Sequence, residues 1–121
     1  MQYMLMIHGD EQGWAALSED EQNAVREEYG RFAQSARESG KLVSGGELQP
    51  TDRATTVRVK DGETVLTDGP YAETKEPLGG YFIVDAGSID EAVELAKGLP
   101  PPRTRGAVEI RPVYVDEGEA S

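Results

Sequence analysis

The chain has 121 residues and a mass of 13.1 kDa, enough for one hydrophobic core and too little for two, so a single domain is expected and a multidomain reading is set aside. Lys and Arg number 12 against 23 Asp and Glu, and the resulting formal charge of −11 repels phosphate backbones and argues against duplex nucleic acid as a partner. With no cysteine there is no disulfide framework, thiolate nucleophile or Cys-based metal site, and the expected compartment is a reducing cytoplasm.

Met1-Gln2-Tyr3-Met4-Leu5-Met6-Ile7 lacks the basic flank and the length of a signal h-region, and no apolar run approaches the roughly 20 residues that span a bilayer. The segment reads as a strand, with Tyr3, Leu5 and Ile7 on one face and Gln2, Met4, Met6 and His8 on the other, both faces largely apolar. Residues 9–17 read as a loop. Ser18 followed three residues later by Glu21 forms a capping box, and the helix it opens carries Val25, Tyr29, Phe32, Ala33 and Ala36 on one stripe before Gly40 ends it. A short strand over 41–44 runs into Gly45-Gly46 and a loop with Pro50. Residues 54–60 and 63–67 are β-rich and joined by Asp61-Gly62, a hairpin signal because both central turn positions require positive φ; this register sets Lys60 opposite Glu63 and Val57 opposite Leu66. Residues 79–85 form a strand that is again apolar on both faces. Ser88 and Glu91 repeat the capping box before a helix bearing Ile89, Ala92, Val93, Leu95 and Ala96, which stops ahead of Pro100. A last strand spans 107–115, and the acidic residues 116–121 are expected to be a disordered tail outside a single domain of residues 1–115.

The order β-α-β, hairpin, β-α-β is the ferredoxin-like split βαβ pattern of an α+β fold, with both helices on one face of an antiparallel sheet. The strands at 2–8 and 79–85 nevertheless carry apolar residues toward the other face. A second copy of the same sheet is the economical cover, giving a homodimer of the dimeric α+β barrel type.

His8, the only histidine, sits at a strand end beside Met4 and Met6 and is the natural acid/base candidate if that face lines a cleft; a packed or solvated histidine is the commoner alternative. Glu109 and Arg111 share a strand face, and Arg58 from the hairpin is expected to join them. Together with His8 they form either a site for a small polar or anionic molecule or an exposed ion-pair ladder. The segment from Thr67 to Gly80 is the most specific text in the chain. Asp68-Gly69-Pro70 is turn chemistry, and a connection bearing Asp68, Tyr71, Glu73 and Lys75 is richer than a bare strand link requires, which suits a ligand or subunit contact. One histidine cannot build a multi-histidine metal site, and no acidic spacing matches a calcium loop. The chain has no G-x-G-x-x-G, P-loop or G-x-S-x-G motif, so a phosphate cradle, ATP hydrolysis and serine-hydrolase chemistry have no support; no metal or organic cofactor is expected, a carboxylate-only site for a hard cation being the alternative that so acidic a chain leaves open.

Asp68-Gly69-Pro70-Tyr71-Ala72-Glu73-Thr74-Lys75-Glu76, followed by Leu78-Gly79-Gly80-Tyr81, resembles the YCII-related family, in particular the bacterial branch named for its Asp-Gly-Pro-Phe motif, with Tyr71 in place of Phe. The resemblance extends from Tyr3-Met4-Leu5 through Ala54-Thr55-Thr56-Val57-Arg58 to Val108-Glu109-Ile110-Arg111-Pro112. It implies a ferredoxin-like fold that dimerises sheet to sheet. It also implies genes often set beside extracytoplasmic-function sigma factors, and a wider family with a proposed His–Asp active site, one branch of which eliminates chloride from a hydroxylated aromatic. The family histidine lies on the first helix, where this chain offers Tyr29 instead. Two functions follow. One is a small lyase or hydrolase in which His8 is the acid/base, Arg58 or Arg111 holds an anion, and Asp68 and Glu73 are loop contacts. The other is a non-enzymatic ligand-binding or regulatory dimer whose loop meets a metabolite or a protein such as a sigma factor.

Overall fold

The computed structural model describes residues 1–100 and 105–115. The opening strand, β1 (Gln2–Gly9), alternates as the pattern requires: Tyr3 and Leu5 are buried, Ile7 packs beside them, and Met4, Met6 and His8 point the other way. The loop expected over residues 9–17 contains a short helix, α1 (Glu11–Ala16). Asp10 caps it, its carboxylate accepting the Gln12 N–H at 3.1 Å, with Glu11 in the positive first turn.

Helix α2 (Glu19–Glu38) starts at Ser18 with both bonds of the capping box made, Glu21 N–H to Ser18 Oγ at 3.1 Å and Ser18 N–H to Glu21 Oε1 at 3.0 Å. It buries Val25, Phe32 and Ala36 and ends ahead of Gly40, whose φ of +73° turns the chain out of the helix. Strand β2 (Leu42–Glu47) runs through the two glycines expected to lie in a loop. The reason lies across the sheet: Gly45 pairs with Phe82 and Gly46 with Tyr81, and a Cβ on Gly45 would lie 2.6 Å from Phe82 Cδ1. The glycines make room for aromatic rings within the strand.

A single 3₁₀ turn at Thr51–Arg53 leads into β3 (Thr55–Lys60) and β4 (Glu63–Asp68). Their register sets Lys60 opposite Glu63 and Val57 opposite Leu66, and the turn residues Asp61 and Gly62 take φ of +52° and +78°. This hairpin is a two-stranded sheet of its own. Strand β5 (Leu78–Asp85) follows, then α3 (Ile89–Ala96). Here only half of the expected box forms. Ser88 Oγ accepts the Glu91 N–H at 3.2 Å, while the Glu91 carboxylate takes the Gly87 N–H at 2.9 Å instead of that of Ser88. The buried stripe of α3 is also narrower than its pattern: Ala92, Leu95 and Ala96 face the core, but Ile89 and Val93 are exposed. Strand β6 (Gly106–Pro112) ends before the expected Val115, because its neighbour β1 begins at Gln2, whose carbonyl takes the last cross-strand bond from Val113 at 2.9 Å. The tail expected at 116–121 lies outside the described residues.

The main sheet has the order β2-β5-β1-β6 with every neighbouring pair antiparallel, which is the split βαβ arrangement with β3 and β4 as an insertion. Its core joins Tyr3, Leu5 and Val84 of the sheet to Phe32 of α2 and to Ala92 and Leu99 of the α3 region. Helices therefore cover one face. The other carries Met4, Met6, His8, Tyr81, Ile83, Glu109 and Arg111, since residues directly opposite in an antiparallel ladder share a face.

Candidate functional site

On that helix-free face the register builds a small polar cluster on an apolar floor. Met6 lies directly opposite both Tyr81 and Glu109, Met4 opposite both Ile83 and Arg111, and His8 one step further along β1. His8 and Glu109 are thus diagonal neighbours, near enough for long side chains to meet. The His8 Nε2 lies 3.7 Å from Glu109 Oε1, beyond hydrogen-bond length but within ion-pair range. The other carboxylate oxygen of Glu109, Oε2, accepts from Arg111 Nε at 3.1 Å and from its second guanidine nitrogen at 2.5 Å. The three groups form a chain from guanidinium to carboxylate to imidazole. The His8 side chain retains 28% exposure, yet its Nε2 is buried and has no hydrogen-bond partner among the described residues. A buried ring nitrogen without a partner is uncommon, and a turn of the part-exposed ring would bring it to the surface of the open face.

The hairpin does not deliver Arg58 to this cluster. Its guanidinium stacks over the Tyr71 ring at 5.1 Å from the centroid and reaches the Tyr71 carbonyl at 3.5 Å. The reason is topological: β3 pairs only with β4, so Arg58 has no register with β1 or β6. A second locality forms instead. Thr56 Oγ1 donates to the Gly69 carbonyl at 2.8 Å, which with the Arg58–Tyr71 stack ties the Asp68-Gly69-Pro70-Tyr71 turn to β3. Beyond the turn, Glu73 and Thr74 line a recess of about 280 Å³ with Thr51, Pro70, Ala72 and Pro77. Asp68, at the end of β4 opposite Thr55, is exposed, as are Tyr71, Glu73 and Lys75. A larger groove of about 540 Å³ opens between α2 and α3 over Phe32, Ala36 and Leu95, on the far side of the sheet from His8.

Two contacts escape sequence reading. Arg26 forms a fork with Glu47, both N–O distances 3.1 Å, while its guanidinium lies 5.3 Å from the Trp14 ring centroid. Glu11 accepts both the backbone N–H and the hydroxyl of Thr51, at 2.7 and 2.8 Å. The partners are 21 and 40 residues apart, so no local pattern announces them. Asp10 as a helix cap was the one available signal that Glu11 and Trp14 belong to a helix. Tyr29 of α2 stacks on Phe82 at 6.5 Å on the helix side of the sheet. Burial pushes its phenol upward, and the carboxylates of Glu28 and Glu47 add to the effect. At neutral pH it is a proton donor and not a base.

The YCII-related domain matches residues 1–115. The chain belongs to the YCII-related family. It is also 37% identical over 114 residues to an uncharacterized protein of Rhizobium meliloti (strain 1021), an alignment that covers 93% of this chain and 92% of that one. The family assignment agrees with the mixed α+β architecture and its antiparallel sheets. Among the described residues no helix is long and apolar enough to cross a membrane, and no group of three His, Asp or Glu side chains is placed to hold a metal ion.

Proposed function

We propose that this YCII-related protein is a small enzyme of lyase or hydrolase type that moves a proton on a small organic molecule, with His8 as its acid/base. The observation that carries the reading is the buried Nε2 of His8, without a hydrogen-bond partner among the described residues and 3.7 Å from a carboxylate. In this reading the part-exposed His8 ring turns outward and its Nε2 takes a proton from the docked molecule. The Glu109 carboxylate stabilises the imidazolium so formed, and Arg111 holds Glu109 in place as a positioning residue. Met4, Met6 and Ile83 supply the apolar floor against which the molecule lies. The reading includes a homodimer that pairs the open sheet faces, supported by four apolar side chains, Met4, Met6, Tyr81 and Ile83, on a face no helix covers. Asp68-Gly69-Pro70-Tyr71 supports placing the chain in the Asp-Gly-Pro-Phe branch, since Tyr preserves the aromatic ring of the motif residue.

The test can be run before any substrate is identified. A panel of small carboxylic acids and carbonyl compounds is screened by NMR for perturbation of the single imidazole, and binders are incubated in D₂O to follow deuterium incorporation at carbon. His8→Gln should lower that exchange by roughly 10²–10⁴ while leaving the fold intact. Exchange that is equal in wild type and His8→Gln overturns the enzymatic role. Binding without exchange in either protein favours a ligand-binding dimer.

A further inference from the structure

The β3–β4 hairpin carries an apolar face that the described residues of its own chain leave bare. Val57, Val59 and Leu66 share that face by register and are 62%, 74% and 67% exposed. Every residue of β4 is exposed, and in β3 only Thr56 is partly covered. A two-stranded sheet with nothing on its apolar face is marginal in water. We propose that this hairpin is an arm that closes over the open sheet face of a second copy of the chain, so that each copy's site at His8 is bordered by the arm of the other; the proposal rests on the sheet-to-sheet dimer inferred above.

Three observations select a second copy as the occupant. The same chain presents both an uncovered sheet face and an uncovered arm, and one two-fold axis satisfies both in a self-complementary contact. Size agrees. Four strands at about 4.8 Å spacing and about 24 Å of paired length give a face on the order of 450 Å², well under the ~800 Å² per partner of a stable interface. An arm about 10 Å wide and about 20 Å long adds on the order of 200 Å² of its own apolar side to each copy, which brings the total to about 650 Å² and covers more than half of the gap. Charge agrees as well. The chain carries −11, but residues 55–68 hold Arg58 and Lys60 against Asp61, Glu63 and Asp68, so the arm carries only −1 and nearly all of the net charge lies elsewhere. Arg58 and Lys60 of β3 lie on the opposite side from Val57, Val59 and Leu66, so β3 sets no charge against the apolar face of the partner.

The absence of native cysteine makes the test direct. Val59→Cys, at an exposed position, is labelled with a benzophenone maleimide, irradiated, run on a denaturing gel and peptide-mapped, while light scattering reports the mass of the same sample. The expected result is a band at twice the chain mass whose crosslink joins the arm to residues of β1, β5 or β6. A scattering dimer whose crosslinks lie only within one chain, or only from arm to arm, overturns the arm and leaves the sheet pairing standing. A monomer in scattering removes both. As a second measurement, Val57→Asp with Leu66→Asp should weaken dimerisation at least tenfold without changing the circular dichroism of the protomer, and unchanged dimerisation overturns the proposal.

Discussion

A methyl group at Gly45 would sit 2.6 Å from Phe82 Cδ1 and 3.1 Å from the Tyr81 carbonyl oxygen, closer than packed atoms approach. Phe82 cannot simply swing aside, because its ring is held at 4.9 Å from that of Phe32 in the core. Gly45→Ala is therefore expected to cost about 1–3 kcal/mol, read as a lower midpoint in urea, despite the exposed surroundings of β2. At Gly46 the added carbon would stand 3.4 Å from the Tyr81 ring, an ordinary contact, so Gly46→Ala should cost clearly less. The sequence showed two adjacent glycines and no more. Which ring lay over which glycine depended on the β2–β5 register. More of the candidate site was legible: His8, Glu109 and Arg111 were expected on one sheet face, but the 3.7 Å approach of His8 to Glu109 followed from the pairing of β1 with β6.

Among the elements, the two helix starts offer a contrast. Ser18 and Glu21 complete a reciprocal box at α2, so Ser18→Ala should lower stability by about 1 kcal/mol in a denaturant titration. At α3 the Glu91 carboxylate is held by Gly87 N–H and by Lys41 at 2.8 Å, so the segment stays anchored and Ser88→Ala should cost less. Both helices were legible because caps and apolar stripes are local. Helix α1 was missed because six residues show barely two turns of periodicity, and its packing rests on the distant contacts of Glu11 and Trp14. The hairpin turn was read correctly for the opposite reason: positive φ at Asp61 and Gly62 is a demand of two residues on themselves. Gly62→Val is expected to raise amide hydrogen exchange across residues 55–68 while the core strands keep their protection, since β3 and β4 form a separate sheet.

For the whole molecule, acid is the informative stress. The Lys41 ammonium, by hydrogen bond and charge, holds Glu91 below its ordinary value of 4.5, and the N-terminal ammonium at 3.0 Å does the same for Asp85 relative to 3.8. Carboxyl groups depressed in the folded state contribute stability above their unfolded values, and that stability is lost as pH falls through the folded ones. The melting temperature should thus decline as pH drops below 4.5, and continue to fall below 3.8. Lys41→Met should flatten this slope, and because the groups are exposed, added salt should flatten it too. Tyr29 acts at the other end. Its raised phenol contributes stability that is lost as pH climbs above its ordinary value of 10.0, so alkaline melts of Tyr29→Phe should decline less. At neutral pH and micromolar concentration, light scattering is expected to give twice the 13.1 kDa chain mass.

The sequence by itself determined the features that short segments impose on themselves: the strand faces of residues 2–8, the capping box at Ser18, the stripe through Val25, Phe32 and Ala36, and the Asp61-Gly62 turn. It also determined the family, through motifs spread along nearly the whole chain. Tertiary structure alone decided what depends on neighbours far away in sequence. It kept Gly45 and Gly46 inside a strand, narrowed the buried stripe of α3 and turned Arg58 onto Tyr71 instead of toward Glu109. Strand register set His8 Nε2 3.7 Å from the Glu109 carboxylate. The physical reason is common to all of these: local preferences are satisfied within a turn or two of chain, whereas which side chains meet across a sheet is fixed only when its strands pair.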